Sequence, residues 1–253
     1  MMVRWMKNMG LALSFGTIVP LPDLGSIDDK TLRSSVGFLP IVGLILGLAL
    51  WGLNAALAQM LPREMAAIIV LALYIIATGG LHLDGLMDTM DAIGSRKLHQ
   101  EALAVMKDSR VGAMGAIAAS LLLIGKALAF SKFPITANPG PWVAVPMIAR
   151  TTAIWSMAWS PAATEHGLGS LYAQKIPRTT MTVATMGGLL GLWVFLPIRA
   201  AAILLLLSVG MTLAWTRFVR HRFGGSTGDT YGALIEMVEW LGFLILTGGW
   251  VHG

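Results

Sequence analysis

Long apolar stretches alternate with short polar segments along most of this chain. Seven of the stretches reach or approach the roughly 20 residues that a helix needs to cross a bilayer. Their approximate bounds are 36–60, 65–83, 112–131, 141–160, 180–197, 200–216 and 232–251. The pattern predicts an all-α fold, a polytopic membrane helix bundle in which residues 1–253 form one membrane-embedded domain.

One apolar segment near the N-terminus is too short to span. It reads LALSFGTIVPLP at residues 11–22 and contains Pro20 and Pro22, which interrupt a helix. We therefore predict an interfacial or re-entrant segment there.

The composition supports a membrane protein and narrows the chemistry. Hydrophobic residues make up 56% of the 253, and charged residues only 12%, whereas soluble domains carry about 25% charged residues. The chain has no cysteine, which excludes disulfides and thiolate chemistry. The net charge of +5 fits membrane topology and anionic ligands better than nucleic acid.

The basic residues are distributed unevenly between the connecting segments. With the N-terminus inside, only Arg63, Lys132 and Arg199 lie in outer loops, and only Lys126 and Arg150 lie within spans. The positive-inside rule then predicts a cytoplasmic N-terminus and an external C-terminus. The polar segments 84–111, 161–179 and 217–231 all fall on the cytoplasmic side, where we expect the functional site.

Three aspartates stand together after the second apolar stretch, in GGLHLDGLMDTMDAIGS at 79–95. Asp84, Asp88 and Asp91 are spaced i, i+4 and i+7, which places them on one face of a helix. Their like charges repel, and a hard cation such as Mg²⁺ offsets the repulsion through oxygen ligands. We predict a metal site; the alternative is a set of solvated acids at a helix end.

Two further polar motifs follow. VMKDSRVGAMG at 105–115 carries Lys107 and Arg110, which share a helix face and suit an anionic ligand, although they also suit a positive-inside anchor. GGSTGDTYGALIEMVEW at 224–240 carries Asp229 and Glu236, seven residues apart and again nearly in line. We predict a functional role for this pair; the alternative is an ion pair with Arg150 or Lys126.

Three single residues have competing interpretations. Arg150, in the fourth span, is either the partner of a buried acid or a contact for a substrate phosphate. Lys126 is predicted to extend its amine towards the interface. His82 is a candidate general base, or an ordinary interfacial residue at a membrane boundary.

These motifs closely resemble those of the cobalamin synthase family, the adenosylcobinamide-GDP ribazoletransferases. The 79–95 segment is similar to the family pattern G-x-x-H-x-D-G-x-x-D-x-x-D, and VMKDSRVG to M-K-D-S-R-x-G. GGSTGDTYGALIE resembles the C-terminal G-G-x-T-G-D-x-x-G-A-x-x-E. Two arginines of the family pattern are missing: Ile18 stands in TIVP, and no arginine precedes Gly167; Arg33 or Arg178 could take their place.

The resemblance implies a transferase of the cytoplasmic (inner) membrane that joins adenosylcobinamide-GDP to α-ribazole, or to its 5′-phosphate, and releases GMP. It implies Mg²⁺ as cofactor, the lipid bilayer as surroundings and no nucleic acid, and it leaves a homo-oligomer open. The predicted roles are metal ligation by Asp84, Asp88 and Asp91, phosphate contact by Lys107 and Arg110, and completion of the site or placement of the nucleophile by Asp229 and Glu236. A carboxylate or His82 would accept the hydroxyl proton.

Two rival functions remain at this stage. A lipid head-group transferase of the CDP-alcohol phosphotransferase kind also uses aspartates on membrane helices, but its D-x-x-D-G-x-x-A-R pattern is absent here. A divalent-cation transporter would use the acids for permeation. Transporters tend to carry such groups at mid-membrane, whereas these acids lie at a cytoplasmic end beside Lys and Arg.

Overall fold

The apolar stretches fold as helices in the computed structural model, which describes residues 2–20, 27–133 and 138–248. The helices are α1 (Met2–Gly16), α2 (Asp29–Ser35), α3 (Leu39–Leu57), α4 (Arg63–Ala77), α5 (Leu81–Gly94), α6 (His99–Met106), α7 (Ala113–Lys132), α8 (Gly140–Trp159), α9 (Leu168–Tyr172), α10 (Arg178–Phe195), α11 (Ile198–Phe223) and α12 (Gly228–Leu246). A short 3₁₀ helix joins α2 to α3, and an isolated bridge pairs Ala162 with Ser226. With no strand among the described residues, the predicted all-α class is confirmed.

Membrane-spanning character is clear for part of the bundle. Three helical stretches are long and apolar enough to cross a bilayer: Asp29–Leu57, Ala113–Lys132 and Ile198–Phe223. A fourth span exists if the bent pair α4 and α5 counts as one. The count of seven stays a prediction, and residues 249–251 of the last predicted span, like 21–22 of the N-terminal segment, lie outside the described residues.

The chain turns by 89° between α4 and α5. Gly79 and Gly80 both adopt left-handed backbone angles, with φ of 62° and 66°, which a side chain would disfavour. The predicted span over about 65–83 therefore bends near its end, where residues 81–83 already belong to α5. The turn directs the acidic helix away from α4.

Helix α8 forms the centre of the bundle and is buried over almost its whole length. Helix α3 approaches it closely, because a side chain at Gly43 or Gly47 would collide with the backbone of Pro146 or Trp142. Small residues commonly allow such close packing between membrane helices.

The N-terminal helix α1 packs on the same side as the start of α3. Leu11 and Ala12 are buried, whereas Trp5 and Met6 are exposed, so the helix has one apolar face against the protein and another facing outwards. Ile18, two residues after the end of α1, donates a backbone hydrogen bond of 2.9 Å to the carbonyl of Ala77 at the end of α4. Residues 11–16 of the predicted interfacial segment therefore belong to a helix that begins at Met2, and residues 17–20 follow that helix.

Candidate active site on helices α5 and α12

Helix α5 presents its aspartates along one face. Asp84 is exposed and Asp88 and Asp91 are half-buried, while Leu86 and Ala92 bury the opposite side in the core. This arrangement follows from the helical period, because residues four and seven positions apart return to the same face. The predicted common face is confirmed.

Helix α12 crosses α5 at two glycines. A Cβ atom at Gly85 would lie 2.9 Å from the Cα atom of Asp229, and one at Gly232 would lie 3.1 Å from the Cα atom of His82. The missing side chains let the two backbones touch. The first turn of α12, with Asp229, is thereby brought beside the acidic face of α5.

The carboxylates at this crossing influence one another. Burial, followed by the charges of Asp84, Asp229 and Asp91 in that order, raises the pKa of Asp88 to about 6. Burial also raises the pKa of Asp229, with the charge of Asp84 acting in the same direction. None of the ion pairs between described residues involves Asp84, Asp88 or Asp229. The site therefore concentrates negative charge that no basic side chain there neutralises.

Asp91 has a structural partner of its own. Its two carboxylate oxygens each accept a backbone hydrogen bond of 2.7 Å, from Gly112 and from Gly115, at the beginning of α7. A side chain at either glycine would collide with this carboxylate. Asp91 thus caps α7 and satisfies amides that a helix start leaves without partners. Its predicted role as a metal ligand stays a prediction.

Lys107 and Arg110 face two different cavities. Helix α6 ends at Met106, so the two residues lie on a turn, and the prediction that they share a helix face is wrong. Exposed Lys107 lines a cavity of about 220 Å³ that also contacts Asp229. Arg110 lines one of about 360 Å³ with Asp88 and Asp91. Both cations therefore border the acidic cluster.

Arg110 is held by its neighbour Asp108. Its guanidinium lies 2.6 Å from the carboxylate, although its side chain is 87% exposed. Hydrogen bonds from Arg110 lower the pKa of Asp108 to about 2. An exposed pair of this kind contributes little to stability, so Arg110 remains available to a phosphate.

Glu236 does not join the aspartates. Lys126 lies 2.7 Å from both Glu236 and Glu239, and Arg150 lies 2.8 Å from Glu239. Tyr74 donates a further hydrogen bond of 2.6 Å to Glu239. This buried network joins α4, α7, α8 and α12 among the described helices.

The network decides between the earlier alternatives. Arg150 is confirmed as the partner of a buried acid. The prediction that Lys126 extends to the interface is wrong, because its side chain is 2% exposed and its amine is paired. A buried cation beside two carboxylates offsets the cost of removing each charge from water. The catalytic role predicted for Glu236 stays a prediction, with its carboxylate occupied by Lys126.

His82 lies in the wall of a third cavity, of about 60 Å³, together with Asp229. Its side chain is buried, and its ring makes no hydrogen bond within the described part of the chain. The imidazole is therefore free to contact a ligand there. Its role as a base stays a prediction.

Two arginine contacts that position the site were not predicted from the sequence. Arg222 donates a 2.9 Å hydrogen bond to the carbonyl of Ile93 and so caps the C-terminus of the acidic helix. Arg33 donates to the carbonyl of Leu171, 2.8 Å away, and so reaches the 161–179 segment. That Arg33 or Arg178 takes the place of the missing family arginines stays a prediction. For Arg222, the sequence offers one indication, a basic residue in the last turn of α11.

The three polar segments meet at one end of the molecule. Ala163 donates a backbone hydrogen bond to Ser226, 3.1 Å away, and Thr227 contacts the sulfur of Met106. A side chain at Gly169 would collide with the Ser226 carbonyl. Residues from all three segments therefore surround Asp229.

Comparison with known proteins supports the same family from the whole chain. The profile of the cobalamin-5-phosphate synthase family (CobS) matches residues 8–247. The adenosylcobinamide-GDP ribazoletransferase of Brevibacillus brevis is 37% identical over 94% of this chain and 97% of its own length. That of Desulforamulus reducens is 39% identical, over 96% and 97%. That of Pseudomonas entomophila is 34% identical, over 90% and 93%.

No solved structure matches this chain. The family match spans both crossing helices, α5 and α12, and the turn that carries Lys107 and Arg110. With the profile and near full-length relatives in agreement, the chain belongs to the cobalamin-5-phosphate synthase family.

Proposed function

We propose that this chain joins adenosylcobinamide-GDP to α-ribazole or its 5′-phosphate and releases GMP, as the names of its relatives indicate. One observation carries the proposal: Asp84, Asp88 and Asp229 converge from two distant parts of the chain, near Lys107 and Arg110, and none of the three forms an ion pair with another described residue. Such a mixture of acids and bases suits a diphosphate bridged through a cation.

Magnesium fits the donor set at this crossing. Its ligands are oxygens, and it is commonly held by one or two carboxylates together with substrate phosphates and water. No group of three His, Cys, Asp or Glu side chains in the described ranges is placed so that it could hold a metal ion. We infer that Asp84, Asp88 and Asp229 would hold Mg²⁺ jointly with the substrate diphosphate. When bound, the ion supplies neutralisation of the diphosphate and of the departing GMP.

The residues of the chain have separate tasks in the reaction. A ribose hydroxyl forms a bond to the phosphorus attached to cobinamide, and the bond from that phosphorus to the bridging oxygen breaks, so GMP leaves with the oxygen. Lys107 and Arg110 bind phosphate oxygens as their charge shifts. The hydroxyl proton passes to a carboxylate of the site or to His82.

The location is part of the proposal. The segments around Asp229 would face the cytoplasm of a cell with an inner membrane, following the excess of Lys and Arg on that side. Water-soluble nucleotides would then reach the site directly, while the helices remain in the bilayer.

The test is release of GMP by the purified protein in detergent or nanodiscs. We expect release from adenosylcobinamide-GDP only when α-ribazole and Mg²⁺ are both present. Asp84→Asn and Asp88→Asn should each lower turnover by about a hundredfold or more, because Asn keeps the shape but loses the anion. Glu64→Gln, at an exposed acid in the first turn of α4, is the matched control.

Near-normal turnover in either aspartate variant would remove the metal assignment. Absence of GMP release with any divalent ion, together with cation uptake into vesicles, would favour the transporter instead.

A further inference from the structure

A small, partly open space lies next to the acidic cluster, between the starts of α5 and α12 and the end of α8. It measures about 60 Å³. Each water needs about 15 Å³ of such space, so the cavity has room for roughly four waters. Because one water occupies about 30 Å³ in the liquid, four waters correspond to a molecular volume of about 120 Å³. That is the scale of one planar bicyclic ring, and far too small for a corrin.

The walls of this space are mostly apolar. Its apolar lining includes Phe15, Leu39, Leu81, Met157 and Ile235. An apolar lining favours a ring without exposed polar groups, because each polar atom buried there without a partner costs free energy.

Few polar groups reach the space, and Asp229 marks its boundary with the acidic cluster. The Tyr231 hydroxyl is buried and finds no hydrogen bond of good geometry in the described chain, although Ser226 lies near it. That hydroxyl has no accessible surface in the space, so His82 offers one side-chain contact there, enough for a ring with a single acceptor nitrogen. A guanine ring, with several donors and acceptors, would leave most of them unsatisfied.

We propose that this space binds the benzimidazole ring of α-ribazole and selects the nucleoside by the size and apolarity of its base. The inference rests on the proposed function and names the subsite of the nucleophile. The base enters between Phe15 and Leu81, and its ribose extends past Asp229 to the carboxylates. The GDP portion of the other substrate lies outside this space, towards Lys107 and Arg110.

The experiment fills the space from its exposed edge. Leu81 lines it and is 46% exposed, so Leu81→Trp adds volume with little burden on folding. Leu98, also 46% exposed and in none of the cavities described above, gives the matched control Leu98→Trp. Initial rates of GMP release are measured while each substrate is varied separately, with free 5,6-dimethylbenzimidazole as inhibitor.

The proposal predicts a change confined to the nucleoside. In Leu81→Trp, the KM for α-ribazole and the inhibition constant of the free base should rise about tenfold or more, with the KM for adenosylcobinamide-GDP unchanged. In the unmodified protein the free base should compete with α-ribazole and not with adenosylcobinamide-GDP. Leu98→Trp should behave as the unmodified protein does.

A second variant tests the opposite change. Phe15→Ala enlarges the space, and it should lower the preference for α-ribazole over a nucleoside with a bulkier, still apolar base. This readout is a ratio of two rates in one preparation, so a poorly folding Leu81→Trp does not prevent the test.

Other results would overturn the proposal. A rise in the KM for adenosylcobinamide-GDP alone would assign the space to guanine. Unchanged constants in Leu81→Trp, with an unchanged preference in Phe15→Ala, would show that no substrate ring enters it. Absence of GMP release by the unmodified protein is a separate outcome, since it contradicts the proposed function itself.

Discussion

At the residue scale, the central feature is a group of carboxylates that the fold holds together without neutralising them. Asp88 experiences burial and three neighbouring negative charges, which raise its pKa from 3.8 to about 6. The folded protein therefore binds a proton on Asp88 more readily than the unfolded chain does. This makes Asp88 a probe of whatever cation occupies the site.

The first prediction concerns pH and magnesium. Because the pKa of Asp88 is raised in the folded state, the stabilisation from its protonation is fully present below about pH 3.8 and is lost as pH rises through about 6. Mg²⁺ needs the ionised carboxylate, so it should raise the melting midpoint more at about pH 7.5 than at about pH 5. Tryptophan fluorescence during heating measures the midpoint. Asp88→Asn should weaken this pH-dependent response; an equal Mg²⁺ effect at both values in the unmodified protein would contradict it.

The second prediction separates Asp91 from Asp84. Asp91→Asn leaves one of the two capping amides of α7 without an acceptor, which should cost about 1–2 kcal/mol and lower the melting midpoint even without Mg²⁺. Asp84→Asn removes a repelling charge, so it should leave the Mg²⁺-free midpoint unchanged or higher while weakening the Mg²⁺ response. The opposite result would be an unchanged melting midpoint of Asp91→Asn without Mg²⁺ together with loss of the rise that Mg²⁺ causes. That result would show that Asp91 acts mainly as a metal ligand and not as a helix cap.

Sequence reasoning found the acids of the site because acids are rare in this chain and regularly spaced. It did not find the partners that fix them. Tyr74, Lys126 and Arg150 lie in three different helices, and only the packing decides that their polar atoms meet at Glu239. Charges within a membrane helix imply some partner, but which one depends on helix rotation, and periodicity alone left that open.

At the element scale, the crossing of α5 and α12 determines where the carboxylates meet. Helix α5 is short, with 14 residues, and depends on its neighbours for position. Asp91 ties its acidic face to α7, and Arg222 ties its end to α11. The direct contact with α12, however, depends on glycine.

The third prediction tests this crossing through Gly85→Ala. The added methyl group would lie 2.9 Å from both the Cα atom and the carbonyl oxygen of Asp229, so the helices must separate. We expect a stability loss of about 1–3 kcal/mol and a loss of GMP release larger than that instability explains. Gly210→Ala is the control, because nothing lies within 4 Å of the new atom in α11.

Two results of this experiment would contradict the prediction that GMP release depends on the close contact between α5 and α12. One is normal turnover in Gly85→Ala at a normal melting midpoint. The other is an equal loss in Gly210→Ala, which would point to a general sensitivity of the helices to the substitution.

The helices themselves were largely predictable, and their interruptions were not. Apolar length placed α3, α7, α8, α10, α11 and α12 near their observed positions, because a membrane helix needs a continuous apolar run. The turn after α4 was missed although two glycines mark it at 79–80, since hydropathy continues across the turn. Helix α6 was missed because a helix of eight residues is too short to have a membrane signature.

At the scale of the whole molecule, the polar segments gather at one end and the apolar helices extend from it. Hydrogen bonds and close contacts join the 161–169 segment to Ser226, and Thr227 to Met106. This juxtaposition agrees with the distribution of basic residues, which is independent of any three-dimensional contact. Which side of the membrane this end faces depends on the charge rule alone.

The fourth prediction uses the absence of cysteine to test that orientation. Single cysteines replace exposed residues at both ends: Gln100 and Glu165 near the site, Met60 and Ile198 at the other end. The positive-inside rule predicts that an impermeant maleimide labels the first two only in inverted vesicles and the last two only in right-side-out vesicles. The unmodified chain, with no thiol, is the blank. Labelling of Gln100→Cys and Met60→Cys from the same side would contradict a crossing of the membrane by α4 and α5, which lie between these two positions. Labelling of all four with the sides exchanged would keep that arrangement and place the acidic cluster outside, away from a cytoplasmic supply of nucleotides.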